Sequence, residues 1–169
     1  MTQGTAPPAG WPRTLLDRLT QGSALLAAAA LAVIVLAYST EIAARYLFNA
    51  PTEWAHDLVS YLLAAVVFLA APDLARVRGH VAISFLVEGL KGRARGLAQR
   101  ALAALAAAAT AAAGAIVAGE ALRQLERGIV TIAVHPIPKW WITGVIAYGL
   151  LLMALQFLRH AARPDPGEG

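Results

Sequence analysis

No cysteine occurs anywhere in the chain, so disulfides, thiolate metal sites and cysteine nucleophiles are excluded and nothing covalent holds the fold. Charge is nearly as scarce. Asp, Glu, Lys and Arg make up 14% of the 169 residues, against about 25% in an ordinary soluble domain, while hydrophobic residues reach 59%. That balance points to lipid rather than water as the solvent. The charges that remain cluster between long apolar runs instead of alternating along amphipathic faces, which marks the clusters as membrane boundaries. No nucleotide loop, Ser/His/Asp pattern or metal-ligand spacing is present, and the Gly-rich stretch from Gly89 to Gly96 lacks phosphate-loop spacing. No catalytic, cofactor-binding or metal-ligating residue is therefore expected, and the chain is read as not an enzyme. The net charge of +4 comes without a basic stripe interleaved with exposed aromatics, so membrane lipid, not nucleic acid, is the expected counter-charge.

What is present is a series of four apolar segments within a membrane domain spanning residues 15–160. Residues 1–14, with Pro7, Pro8 and no apolar period, read as a disordered tail. The first span covers about residues 22–45, and its helical continuation through Glu41 to Tyr46 argues against a cleaved signal. Asn49-Ala50-Pro51-Thr52 breaks the chain, with Thr52 placed to cap the second span, about residues 53–71. Pro72-Asp73 and Gly79-His80 close that span. Residues 81–96 carry Ile83, Leu86, Val87 and Leu90 on one helical face and Ser84, Glu88, Lys91 and Arg95 on the other, the pattern of an interfacial arm. The third span, about residues 97–122, is nearly all alanine, and Thr110, Gly114 and Ala118 form a small-residue packing ridge. The fourth, about residues 138–159, follows His135-Pro136-Ile137-Pro138 and is anchored at the headgroups by Lys139, Trp140 and Trp141. Residues 161–169 read as a second disordered tail.

Lys and Arg are distributed unevenly about these spans. Arg13, Arg18, Arg76, Arg78, Lys91, Arg93, Arg95, Arg100, Arg159 and Arg163 would share one side, leaving Arg45, Arg123, Arg127 and Lys139 on the other. The positive-inside rule then places both termini in the cytoplasm. The expected fold is an all-α integral membrane protein with four transmembrane helices and an interfacial amphipathic segment between the second and third.

Intramembrane ionisable groups mark function by default. Here Glu41, Glu53, Asp57, Asp73 and Glu120 all sit near span boundaries, and no span centre carries a charge. A chain of this kind is not expected to translocate a solute alone. The histidines, His56, His80, His135 and His160, raise the alternative of a haem-bearing anchor of a respiratory enzyme, although all lie at helix ends. Another alternative is a small membrane protein that self-associates through the Gly114 ridge.

From Arg45-Tyr46-Leu47-Phe48-Asn49-Ala50-Pro51 through Trp54 and Asp57, the sequence resembles the small membrane subunit, the DctQ-type permease, of tripartite ATP-independent periplasmic (TRAP) transporters. Gly79-His80-Val81-Ala82-Ile83 is similar to that family's Gly-His-Ile element, and Ile137-Pro138-Lys139-Trp140-Trp141 to its Ile-Pro-x-Trp start of the last helix. The sequence departs from the family at Ser84, Ser60 and Pro72-Asp73. The resemblance implies a multi-pass protein of the bacterial inner membrane that joins a large multi-span permease and a periplasmic substrate-binding protein in importing an organic anion such as a carboxylate. Sodium coupling would reside in the permease, with no cofactor in this chain. Arg45, Asn49, Glu53, Trp54, Asp57, Gly79 and His80 would be partner-contact residues, and the small subunit would act as a scaffold.

Overall fold

The computed structural model describes residues 15–49, 52, 54–86, 93–131 and 136–162, and the side chains of residues 77–86 and 93 lie outside that description. Four helices carry nearly all of it: α1 (Leu15–Phe48), α2 (Trp54–Leu86), α3 (Arg93–Glu126) and α4 (Trp140–Ala162). Alanine and leucine are strong helix formers, and lipid enforces the choice because a helix satisfies its backbone groups within one segment. Each helix contains a stretch long and apolar enough to cross a bilayer: Leu15–Phe48, Trp54–Arg76, Ala94–Glu126 and Trp140–Ala162. The chain is thus an all-helical protein with four candidate spans; both tails, residues 1–14 and 163–169, lie outside the described residues. At about 1.5 Å per residue, α1 is about 51 Å long, well beyond the roughly 30 Å of a hydrocarbon core. Its ends therefore reach past the lipid chains or the helix tilts.

The helices end where the residues allow the backbone to turn. Asn49, just after α1, sits at φ 49°, a left-handed conformation that asparagine tolerates better than most side chains. Gly128 closes α3 at φ 61°, with the Ile129 amide donating to the Gln124 carbonyl at 3.0 Å and the Gly128 amide to that of Leu125 at 3.3 Å. These two bonds form a Schellman cap. Ile129 and Val130 then run against Ile137 and Pro138, the Thr131 amide donating to the Ile137 carbonyl at 2.9 Å and the Lys139 amide to that of Ile129 at 3.0 Å. This narrow hairpin, the one β-bridge among the described residues, turns the chain directly into α4.

The second helix departs from the sequence expectation. Pro72-Asp73 and Gly79-His80 were expected to end it, yet α2 runs through both to Leu86 with Pro72 inside it. Residues 81–86 of the expected interfacial arm belong to that continuation, residues 87–92 lie outside the described part, and α3 already begins at Arg93. The physical reason lies at α4. Proline has no N–H, so Pro72 leaves the carbonyl of Phe68, four residues earlier, without its helical donor. Gly149 of α4 packs directly on that carbonyl. A Cβ on Gly149 would overlap the Phe68 oxygen and lie 2.8 Å from the Phe68 carbonyl carbon. A neighbouring helix that approaches closely is what lets a transmembrane helix carry an internal proline, and Pro72 itself is fully buried.

Tertiary contacts place α2 and α4 in the middle, α1 against α2 on one flank and α3 against α4 on the other. The seams are narrow and made of small residues. On α1 the buried positions are Thr20, Ser23, Ala27, Ile34, Ala37 and Glu41, a single stripe at the three-and-four spacing of a helix packing seam. Ile34 and Ala37 meet Val59 of α2, with Leu58, Leu62 and Val66 packed around them. On the other flank Gly114 of α3 lies under Leu151, where a Cβ would come within 2.9 Å of Leu151 Cδ2 and 3.3 Å of its backbone nitrogen. Small residues permit such approach where no hydrophobic effect drives helices together.

Gly149→Ala is expected to lower the unfolding free energy by about 1–3 kcal/mol, because the backbone it strikes cannot rotate away. Gly144→Ala, where an added Cβ meets nothing within 4 Å, should be neutral or stabilising by up to about 1 kcal/mol. Denaturant titration of both variants in detergent checks the contrast; equal stabilities would contradict it.

Candidate functional site

Polar side chains join the helices at two levels separated by an apolar middle. At the first, two helix ends meet: Arg159 near the end of α4 pairs with Asp17 near the start of α1 at 2.6 Å, both side chains largely shielded. One turn inward, Gln156 Nε2 donates to Thr20 Oγ1 at 2.8 Å, and Thr20 donates in turn to the Leu16 carbonyl at 2.8 Å. His160 Nε2 lies 3.2 Å from the Ala75 carbonyl of α2. The start of α1, the end of α4 and the Ala75 level of α2 therefore share one end of the molecule.

Glu41 organises the opposite end. Its carboxylate is almost fully buried; Arg45 donates to one oxygen at 2.8 Å, and the Thr52 amide to the other at 2.9 Å. The Thr52 hydroxyl donates to that second oxygen as well. A carboxylate that would be costly inside a membrane is thus made a fixed post holding the α1–α2 connection. Thr52, expected to cap α2, spends its hydroxyl on Glu41 instead. Glu41 and Thr20 are about 32 Å apart along α1, so the two polar levels bracket a hydrocarbon core of about 30 Å. At the Glu41 end the Gln124 side chain of α3, buried, accepts from Thr143 Oγ1 of α4 at 2.8 Å and donates to Glu120 at 3.2 Å. Glu120 also pairs with Arg123.

The residues expected to meet partners gather at this end in part. Arg45 is bound to Glu41 yet its side chain is 61% exposed, leaving guanidinium donors outward. Asn49 is exposed at the α1 cap. Trp54 opens α2 and, with Asp57, lines a groove of about 480 Å³ between α2 and α4 whose far wall includes Ile137 and Trp141. Glu53 lies outside the described residues. Gly79 and His80 fall within the α2 continuation, on the Ala75 side of the molecule and away from the others, and their side chains lie outside the described residues.

The ridge on α3 divides. Thr110 donates to the Ala106 carbonyl of its own helix at 2.7 Å, Gly114 is covered by α4, and Ala118 is half-buried. With Gly114 occupied by Leu151 of the same chain, the ridge is not free for self-association. Lys139 and Trp141 are exposed at the start of α4, and Trp140 stands edge-on to Trp141 at 5.8 Å. Of the histidines, His56 is near the start of α2 and His160 beside Ala75, and residues 56 and 75 are about 28 Å apart along α2. These two cannot ligate one iron; His80 and His135 side chains lie outside the described residues.

Sequence reasoning missed the Asp17–Arg159 pair, the Gln156–Thr20 bond and the Gly149 contact. Only Gln156, a lone amide inside an apolar run, carried a local signal, since it needs a partner within the membrane.

Four long apolar helices, narrow small-residue seams and polar ties at both ends define a multi-pass membrane protein. The family model "Tripartite ATP-independent periplasmic transporters, DctQ component" matches residues 34–166, and the chain belongs to that family. It is accordingly a transport subunit of the inner membrane and not an enzyme. Neither a curated relative nor a solved structure matches it.

Glu41→Leu is expected to raise hydrogen exchange at the Thr52 amide by about tenfold or more and to lower stability by about 1–3 kcal/mol, since it strips three donors of their acceptor. Arg45→Ala should cost less than about 1 kcal/mol because that partner is mostly exposed. A larger loss for Arg45→Ala than for Glu41→Leu would contradict the assignment of Glu41 as the post.

Proposed function

We propose that this chain is the stationary scaffold of a sodium-coupled, binding-protein-dependent importer of an organic anion such as a carboxylate. It braces a large multi-span permease and helps dock the periplasmic substrate-binding protein. The observation that carries this reading, beside family membership, is how little of the chain is buried within itself. Large apolar side chains stand outward on both flanking helices, among them Leu25, Leu36, Leu105 and Ile116, each at least 65% exposed. Such surface belongs to lipid or to other transmembrane helices. Nothing in the described spans resembles a translocation path, because the ionisable residues lie near the two polar levels and not between them. Sodium coupling and substrate selectivity are therefore assigned to the permease, and this chain is assigned no cofactor.

With both termini cytoplasmic by the positive-inside rule, the Glu41 end faces the periplasm. There the exposed guanidinium of Arg45, steadied by Glu41, together with Asn49, Glu53 and Trp54, forms the part nearest the docked binding protein. A scaffold held at two polar levels suits the work, since the moving permease needs an anchor that does not shift with it.

A clean deletion is expected to abolish or strongly reduce uptake while substrate capture by the soluble protein stays intact; normal uptake would overturn the reading. Purification of the tagged chain in mild detergent should bring down a much larger permease in stoichiometric amount, as mass spectrometry of the eluate would show. Because the chain has no cysteine, a single cysteine at Asn49 should react with a membrane-impermeant maleimide added from the periplasmic side. Labelling only after the inner membrane is opened would reverse the orientation.

A further inference from the structure

The outward side of α4 carries a regular seam. Its exposed residues are Trp141, Tyr148, Leu151, Leu155, Leu158 and Ala162, and with Gly144 they follow one another at alternating steps of three and four. That is the 3.5-residue repeat which keeps one helix face against another, turn after turn, as the two wind left-handed about each other. The outer faces of the flanking helices are built differently. Leu25 and Leu26 are both exposed on α1, as are Val35 and Leu36, and so are Ala104 and Leu105 on α3. Consecutive helical residues point about 100° apart, so those faces are broad, as contact with acyl chains permits. On α4 no two consecutive residues are exposed.

The seam lies at a depth that restricts what can cover it. Thr143 bonds to Gln124 at one polar level and Gln156 to Thr20 at the other. From Gly144 to Leu155 the seam therefore runs about 17 Å inside the hydrocarbon, where lipid or a transmembrane helix reaches it. A helix is favoured at Gly144, which interrupts the seam between Trp141 and Tyr148 and opens a shallow notch of about 340 Å³ lined by α4 alone. Gly114 and Gly149 are each spent on a neighbouring helix of this chain, but a Cβ at Gly144 would meet nothing within 4 Å. Glycine inside a helix costs about 1 kcal/mol relative to alanine. Acyl chains have no need of such a hole, whereas a hole between bulky residues of a heptad seam receives a knob from a facing helix.

A second copy of this chain does not supply that knob. Two copies share one orientation in the membrane, so α4 paired with α4 about a twofold axis would set Gly144 against Gly144 and Trp141 against Trp141. The paired notches would stay empty while the bulky layers on either side held the helices apart. The seam fits a different helix, one with a large apolar side chain at the notch level.

We propose that a single transmembrane helix of the large permease packs along the Trp141–Ala162 seam, crossing α4 at about +20° and seating a leucine-sized or larger apolar side chain in the Gly144 notch. This rests on the transport reading, to which it adds the face and the fit.

The tagged full chain is purified from its native membrane in mild detergent, and the permease recovered per chain is measured by mass spectrometry. Gly144→Trp, which fills the notch from a position open to the outside, should lower that ratio by about tenfold or more while the thermal unfolding midpoint of the chain holds. Gly119→Trp, at an exposed glycine of α3 with equally open surroundings, should leave the ratio unchanged. A photo-crosslinking residue in place of Leu155 should join the chain to the permease, and it decides the matter if Gly144→Trp does not fold. Undiminished permease with folded Gly144→Trp, an equal loss with Gly119→Trp, or crosslinks from position 155 to lipid or a second copy alone would overturn the seam and leave the transport reading standing. An unaltered chain that brings down no permease would overturn both.

Discussion

The arrangement of the helices depends on a single close approach, that of Gly149 in α4 to the carbonyl of Phe68 in α2. Pro72 leaves that carbonyl without its helical donor, and in a bilayer no water is present to take over. A glycine on the facing helix lets the two backbones meet there, and the polarised Cα–H of the glycine is the available neighbour for the oxygen. Because α2 and α4 are the central pair, the register of this contact sets where α1 and α3 can attach. It also allows α2 to continue past proline to Leu86 instead of ending near residue 71.

Around that contact the molecule is organised by depth. In the middle, alanine and glycine seams supply close packing. Hydroxyls inside the spans, such as those of Ser39 and Thr110, donate back to carbonyls of their own helix, which spares them an unsatisfied proton in lipid. Near the boundaries the pattern reverses. Asp17–Arg159 and Thr20–Gln156 tie α1 to α4 at one level, and Glu41–Thr52 and Gln124–Thr143 tie α1 to the loop and α3 to α4 at the other. Polar ties are affordable there because headgroups and water are near, and they resist sliding of one helix past another, which apolar seams alone resist poorly.

Much of the fold was legible for a physical reason that is local. Apolar runs of spanning length and tryptophans at a helix start act through neighbours in sequence or through the bilayer itself. The exposed Arg45, Asn49 and Trp54 were legible as a group because a short motif holds them together. What failed was inference about local breakers: Pro72 is a breaker only if no neighbour compensates, and the neighbour stands in α4. Glu41 was visible as a boundary carboxylate, but its bonds to Thr52 depend on how the connection after α1 folds back.

The sequence by itself determined that this chain lives in a bilayer, that it crosses four times and that it carries the marks of a transporter's small subunit, because hydropathy and short motifs are properties of contiguous residues. Only the tertiary structure decided that Gly149 and Pro72 belong to one contact, that Asp17 and Arg159 are partners, and that Gly114 is spent inside the chain and not offered outside it. Those pairings join residues far apart in sequence, and helices in lipid find one another through shape and a few polar bonds whose partners no hydropathy pattern names.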